Sequence, residues 1–264
     1  MAAMTDEEAR AQLRERQGAG ARYDSVAAPA QDLILARRGT AYFARKLNEL
    51  SDAALDAPSL VPGWSRRYVV ADVGYHARGL ARLVEAARQG RPQEILSEPE
   101  NQREDVAFGA TLPAHALRYL FHHSEVHLNV EWRDLDEAAW RASVRTLQGV
   151  AVSAGRTPWL RARAIWQRAV DLDNGGSYSD FPPELLDALR DEAVASGTGD
   201  GARLPGMILA AADRDGETVV GTGGPRVSGT MADIVRWLCG RGARRLSCTS
   251  RLPDLPANPV PARN

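Results

Sequence analysis

The stretch GWSRRYVVADVGYHARGLARLVEAARQG (63–90) has the pattern of one long amphipathic helix. Ser65 stands where an N-cap is expected, because its hydroxyl can accept a hydrogen bond from the first turn. The predicted core-facing stripe consists of apolar residues, namely Val69, Val73, Leu80, Leu83 and Ala87. Asp72 and His76 fall on the same face, and such groups are costly to bury unless they are paired, protonated or ligated. The stretch therefore predicts a core helix that carries a functional site; the alternative is that Asp72 faces solvent.

Three more segments have apolar residues at the three- and four-residue intervals of a helix. They lie at 29–50, 113–132 and 157–172, and a short helical turn is predicted at 136–142. The segment that contains Pro92 and Pro99 is interpreted as a polar loop. Four helices with one apolar face each predict a four-helix bundle over 28–178.

The pattern changes after Gly176. A helix is predicted at 183–192, strands at 207–212, 217–222 and 226–228, and a final helix from Thr230 to Cys239 with Asp233 in its capping box. These elements predict a small α+β C-terminal domain over 180–252, so that the chain is mostly α. Residues 1–27 are expected to form a flexible N-terminal extension, and the proline-rich residues 253–264 a disordered tail.

Composition restricts the class of partner. The 264 residues carry 33 basic and 34 acidic side chains, a balance that argues against nucleic acid or an anionic membrane as the main partner. No apolar run is long enough to span a membrane, and the N-terminus lacks the apolar region of a secretory signal. Cys239 and Cys248 do not form a disulfide framework. We expect a cytoplasmic monomer or homodimer that binds a small molecule.

Five stretches resemble the mycothiol-dependent maleylpyruvate isomerase family, a group of DinB-like four-helix proteins. They are ILARRGTAYFARKL (34–47), LVPGWSRRYVVADVGYHA (60–77), EDVAFGATLPAHALR (104–118), WLRARAIWQRAVDL (159–172) and VSGTMADIVRWLCGRG (227–242). The resemblance implies an intracellular enzyme of actinobacterial type. It also implies a divalent metal, usually zinc, that activates the thiol cofactor mycothiol for reversible addition across a cis double bond.

The same resemblance shows a departure at the metal ligands. The family's ligand histidine in the second helix aligns with Asp72, and its glutamate and histidine in the fourth helix align with Ala164 and Arg168. Alanine has no donor atom and arginine is permanently cationic, so neither can ligate a metal. We therefore expect no metal and no cofactor, and an Asp72–Arg168 ion pair in the vacated position. The alternatives are that Arg168 extends outward, or that Asp72 and His76 form half of a new metal site.

The candidate site residues follow from these positions. Asp72 and His76 are expected to move protons, since an imidazole near a carboxylate titrates near neutrality, and Tyr68 is expected to donate to a carbonyl. The resemblance implies that Arg241 holds substrate and that Asp171 matches an acidic position of the family. The predicted catalytic residues are Asp72, His76, Arg168 and Tyr68, and the predicted substrate-binding residues are Arg241, Arg236, Asp171 and Arg103. The alternatives are a satisfied core histidine at position 76 and helix-end cations at 236 and 241.

Together these features predict a repurposed, metal-independent isomerase or cyclase of secondary metabolism. It would act on a small unsaturated or carbonyl-bearing metabolite by acid–base catalysis. Two alternatives stay open: a non-catalytic small-molecule-binding protein, and a thiol-dependent metal isomerase or transferase with an altered site.

Overall fold

A computed structural model describes residues 24–91, 99–145, 150–198 and 204–255. The helices of its first part, in chain order, are α1 Ala30–Asn48, α2 Arg66–Arg88, α3 Pro99–Gly109, α4 Ala114–Asp134, α5 Glu137–Arg141 and α6 Thr157–Asp171. Helix α1 packs along α6 and α2 packs along α4, and these four form the bundle. The residues of the predicted α2 stripe are buried, and the Ser65 hydroxyl accepts from the Tyr68 amide at 3.3 Å, which confirms the N-cap.

Two glycines allow the helices of each pair to approach closely. A Cβ on Gly39 of α1 would lie 2.7 Å from Ile165 and from the Trp166 ring of α6. A Cβ on Gly74 of α2 would lie 2.9 Å from Leu120 of α4. Neither distance leaves room for a methyl group, so the bundle depends on the missing side chain at both positions.

Two elements differ from the sequence-based prediction. Helix α3 lies partly where a loop was predicted. The prediction was wrong because the polar sequence of α3 has no helical period of apolar residues. The helix packs on α2, where Gly109 lies against Tyr75. A hairpin of β1 Ser143–Arg145 and β2 Ala151–Ser153 was not predicted at all. Strands of three residues are too short to show an alternating pattern.

The C-terminal part contains α7 Pro183–Gly197, β3 Met207–Ala211, β4 Thr218–Val220, β5 Arg226–Gly229, α8 Met231–Leu238 and β6 Ser247–Cys248. The strand order is β4-β3-β5-β6, in which β3 and β5 are parallel and the two outer pairs are antiparallel. Strand β6 was not predicted. The mostly α fold, with a bundle followed by a small α+β region, is confirmed.

Helix α8 is buried on two sides. The Thr230 side chain accepts from the Asp233 amide at 3.2 Å, which confirms the predicted cap. Ile234 and Trp237 belong to the apolar cluster of the sheet, whereas Val235 packs in the core of the bundle. The two regions are thus in close contact through α8, and the division into domains at 180–252 stays a prediction.

The predicted N-terminal extension and C-terminal tail lie mostly outside the described residues, at 1–23 and 256–264. Where the description begins, the Asp24 carboxylate accepts two hydrogen bonds from Arg37 at 2.6 and 2.7 Å. Within the described part of the chain, no helix combines the length and the apolar character that crossing a membrane requires.

Candidate functional site

The structure brings together Asp72 of α2 and Arg168 of α6. The Arg168 Nε donates to Asp72 Oδ2 at 2.7 Å, and the two side chains are 20% and 26% exposed. The guanidinium carbon of Arg168 also lies 4.7 Å from the centre of the Trp64 ring, a cation–π distance. Arg168 therefore points toward α2 and does not extend into solvent.

Asp171 continues this arrangement into the C-terminal region. Its fully buried carboxylate accepts from Arg168 Nη1 at 3.0 Å and from Arg241 Nε and Nη2 at 2.9 and 2.8 Å. Arg241 follows α8, so the contacts join α2, α6 and the C-terminal segment. We call Asp72, Arg168, Asp171 and Arg241 the charge network; it alternates in sign and is formally neutral.

Both guanidinium groups of the charge network stay protonated. Burial by itself lowers the pKa of Arg168, but the carboxylates of Asp72 and Asp171 outweigh that effect and the pKa is raised. Burial likewise lowers the pKa of Arg241. The hydrogen bonds and the charge of Asp171 outweigh burial and raise that pKa above its ordinary value. Neither arginine can serve as a proton donor at neutral pH.

His76 differs from the expectation that it titrates near neutrality. Its pKa is lowered well below the ordinary value, first by burial and then by the charges of Arg161, Arg163 and Arg168. The carboxylate that would favour the imidazolium, Asp72, is bound to Arg168 instead. The electrostatic potential at His76 is therefore positive, which disfavours a proton there and favours an anion nearby.

Sequence reasoning missed a second group of polar side chains next to the charge network. Arg161 of α6 is fully buried; it forms an ion pair with Glu125 of α4 and donates to the Val73 carbonyl at 3.0 Å. Thr40 of α1 donates to Glu125 Oε2 at 3.0 Å. Arg161 lies two turns before Arg168, so a second arginine on the inward face of α6 was the signal available in the sequence.

The remaining predicted residues are Tyr68, Arg236 and Arg103, and none of them belongs to the charge network. The Tyr68 ring is tilted against the Trp64 ring, with ring centres 4.4 Å apart, and the Trp64 ring also contacts the Arg168 guanidinium. The Arg236 pKa is lowered by burial and by Arg244, and its Nε is buried without a hydrogen-bond partner among the described residues. Arg103 is exposed on α3, and no described hydrogen bond joins it to the charge network.

The side chains at the positions that the resemblance aligns with metal ligands do not fit a divalent metal. Asp72 offers a carboxylate that Arg168 already engages, Ala164 has no donor atom, and Arg168 would repel a cation. Among the residues that the structure describes, no three His, Cys, Asp or Glu side chains are grouped so that they could hold a metal ion.

A cavity of about 230 Å³ lies away from this site, between α7, α8 and the sheet. Arg190 and Arg214 line it, and both are engaged by neighbouring carboxylates, including that of Asp187.

Comparisons with known proteins agree with this architecture. A family described as "Mycothiol maleylpyruvate isomerase N-terminal domain" matches residues 36–173. Two solved structures, of the mycothiol-dependent maleylpyruvate isomerase and of its histidine-to-alanine mutant, are each 35% identical with a TM-score of 0.80. Each alignment covers 86% of this chain and 95% of the other. A search of curated proteins finds no significant match.

These matches correct one expectation. The prediction that no cofactor is used is wrong, because the matching family and both solved structures are mycothiol-dependent by description. The expectation rested on the residues that the resemblance aligns with metal ligands, and no residue that could bind mycothiol entered it. Because the family model matches residues 36–173 and the sequence identity is 35% across most of both chains, the protein belongs to the mycothiol-dependent maleylpyruvate isomerase family.

Proposed function

We propose that this protein is a metal-independent, mycothiol-dependent isomerase that acts on a small, unsaturated, carbonyl-bearing metabolite. The observation that carries the proposal is the Arg168–Asp72 contact at 2.7 Å, at two of the positions aligned with the family's metal ligands. A cytoplasmic location, a role in secondary metabolism and a monomeric or homodimeric state stay predictions from the sequence.

Arg168 supplies a fixed positive charge at the position where the family has a cation. Its Nε and Nη1 groups donate to Asp72 and Asp171, whereas its Nη2 group makes no hydrogen bond among the described residues. A guanidinium stabilises anionic oxygen or sulfur by charge and by hydrogen bonding, without the open coordination position that a metal needs. Arg168 therefore suits an anionic ligand that accepts a hydrogen bond from Nη2.

The surroundings of His76 favour the same class of ligand. Arg161, Arg163 and Arg168 all oppose a proton on His76, and cationic neighbours of this kind lower the pKa of a thiol. When bound, mycothiol supplies a nucleophile that adds reversibly to a double bond conjugated with a carbonyl. We assign Arg168 to the anionic centre, Tyr68 and His76 to hydrogen bonding with the substrate carbonyl, and Arg236 to a substrate carboxylate.

The first test combines metal content with turnover. The protein is purified without a chelator or a metal-binding tag, and its metal is measured by elemental analysis. Isomerisation of maleylpyruvate, used as the first probe, is then followed with and without mycothiol and with a chelator. We expect far less than one divalent ion per chain and turnover that requires mycothiol but survives chelation. One ion per chain with chelator-sensitive turnover would refute metal independence; tight binding without turnover would indicate a binding protein.

A gain-of-metal variant tests the assigned positions directly. The triple substitution Asp72→His, Ala164→Glu and Arg168→His restores the ligand types implied by the resemblance. We expect it to bind close to one zinc ion per chain, as measured by calorimetry. The matched control keeps Ala164 and carries only the two histidines, and it should bind zinc more weakly because one ligand is missing. Equal affinity of both variants would show that position 164 is not part of the site.

A further inference from the structure

One side chain from each helix of the bundle contributes to a largely buried polar cluster. The cluster consists of Thr40 of α1, His76 of α2, Glu125 of α4 and Arg161 of α6. Arg161 is completely buried, and the Glu125 side chain is 10% exposed. A buried guanidinium is costly unless it is paired and hydrogen-bonded, and Arg161 has both an ion pair with Glu125 and a hydrogen bond to the Val73 carbonyl.

Arg161 determines which nitrogen of His76 can carry a proton. Arg161 Nη1 lies 3.1 Å from His76 Nδ1 and also donates to the Val73 carbonyl at 3.0 Å. A guanidinium has donors and no acceptor, so the hydrogen bond can only run from Arg161 to Nδ1. Nδ1 is therefore unprotonated, and the proton of the neutral imidazole lies on Nε2.

Arg161 is in turn held by its own partners. It pairs with Glu125, and the other oxygen of that carboxylate accepts from Thr40 at 3.0 Å. Burial lowers the pKa of Arg161 to about 9, which leaves it protonated and donating at neutral pH. The orientation of His76 is thus set through a chain of contacts that begins at Thr40 on α1.

The charges that face His76 act in the same direction. Arg161, Arg163 and Arg168 act on it from α6, and Glu125 of α4 is paired with Arg161. On its own helix, the Asp72 carboxylate is bound by Arg168. His76 also keeps partial solvent exposure, so it is not sealed off from a ligand.

We propose that Arg161, supported by Glu125 and Thr40, is a positioning residue that fixes His76 as a neutral Nε2–H donor. In the reaction, His76 then donates a hydrogen bond to a carbonyl oxygen that gains negative charge, and it does not pass through the imidazolium form. This catalytic role rests on the proposed function, whereas the fixed tautomer does not. A neutral donor of this kind stabilises developing oxyanion character without a proton-transfer step.

The tautomer is tested by nuclear magnetic resonance on the full chain. Long-range proton–nitrogen spectra of the nitrogen-15-labelled protein report the protonation of both ring nitrogens. The chain has five histidines, and the signals of His76 are those that are missing from the spectrum of His76→Asn. We expect protonated Nε2 and bare Nδ1 with an unchanged pattern from pH 8 to pH 5.5. A protonated Nδ1, or titration of His76 with a midpoint near the ordinary value, would overturn the proposal.

Two variants separate positioning from general structural support. Arg161→Gln should allow both tautomers and move the His76 midpoint toward its ordinary value. Thr40→Val removes only the outermost hydrogen bond, so it should fold and give a smaller shift in the same direction. An unchanged His76 spectrum in a folded Arg161→Gln variant would contradict the role of Arg161. If that variant does not fold, the wild-type spectra still test the tautomer, and an unchanged His76 spectrum in Thr40→Val would contradict the positioning role.

Kinetics then test the donor role. His76→Ala should lower kcat on the order of a hundredfold with a smaller change in KM, because the lost hydrogen bond strengthens as charge develops. His76→Asn keeps an N–H donor and should recover part of the loss. Equal loss in both variants, or a pH–rate profile of the wild type with a histidine-type limb, would contradict the donor role. Absence of wild-type turnover would count against the proposed function, and the spectra alone would then decide the tautomer.

Discussion

Asp72 and Arg168 meet because each occupies the inward face of its own helix, α2 and α6 respectively. We predict that Asp72→Asn lowers the free energy of unfolding by about 1–3 kcal/mol, between the values for exposed and fully buried ion pairs. Urea denaturation at neutral pH measures the change. Asp56→Asn, which weakens the pair of a largely exposed carboxylate with Arg67, should cost less than about 0.5 kcal/mol. Similar losses in both variants would show that the Asp72 pair contributes little.

His76 makes stability depend on pH. Its pKa is lowered in the folded protein, so below about pH 6.5 the unfolded chain binds a proton that the folded chain does not. The free energy of unfolding should therefore fall with acidification by up to about 1.4 kcal/mol per pH unit from this residue. In His76→Asn this contribution is absent. Urea denaturation of both proteins between pH 5 and 7.5 tests it, and a constant difference between them would contradict the lowered pKa.

At the scale of elements, the pairing of α1 with α6 depends on Gly39. A methyl group there would lie 2.7 Å from Ile165 and Trp166, which is closer than packed atoms approach. Gly39→Ala gains about 1 kcal/mol of helix propensity but overpacks the interface at a cost of about 1–3 kcal/mol. We predict a net loss of stability, measured by chemical denaturation.

Arg38→Ala is the matched control for Gly39→Ala, because the side chain is largely exposed on the same helix and pairs with the exposed Glu184. It should change stability by less than about 0.5 kcal/mol. If Gly39→Ala were stabilising, the α1–α6 interface would have room that the structure does not show.

The elements also show where sequence reasoning succeeded and where it did not. Helices α1, α2, α4 and α6 carry long apolar stripes, and the caps at Ser65 and Thr230 mark two helix starts, so these features were predicted. Helix α3 and the β1–β2 hairpin have no such pattern and form by packing on neighbouring elements. Local sequence is a poor guide for elements that are held mainly by tertiary contacts.

For the whole molecule, Asp171 joins the bundle to the C-terminal region. Its buried carboxylate lies between Arg168 of α6 and Arg241 after α8. We predict that Asp171→Asn costs about 3–5 kcal/mol, because two guanidinium groups lose their shared counter-charge. Hydrogen exchange should show the largest loss of protection in α8 and the segment that follows it.

Asp187→Asn in α7 is the control for Asp171→Asn. That carboxylate also meets two arginines, Arg190 and Arg214, but its side chain is 38% exposed. Its loss should cost less than about 1 kcal/mol and leave α8 protected. If Asp171→Asn left the protection of α8 unchanged relative to the bundle, Asp171 would not couple the two regions.

By itself, the sequence determined the bundle, the small α+β region, the family resemblance and the presence of Asp72, His76 and Arg168 on inward helix faces, since apolar period and capping are local properties. The Asp72–Arg168 pair was also an expectation from the sequence, whereas only the tertiary structure decided that Asp171 is shared with Arg241 and that Arg161 faces Nδ1 of His76. Those contacts join residues far apart in the chain. Their strength depends on burial and on the distances between charges, and neither quantity exists before the helices pack.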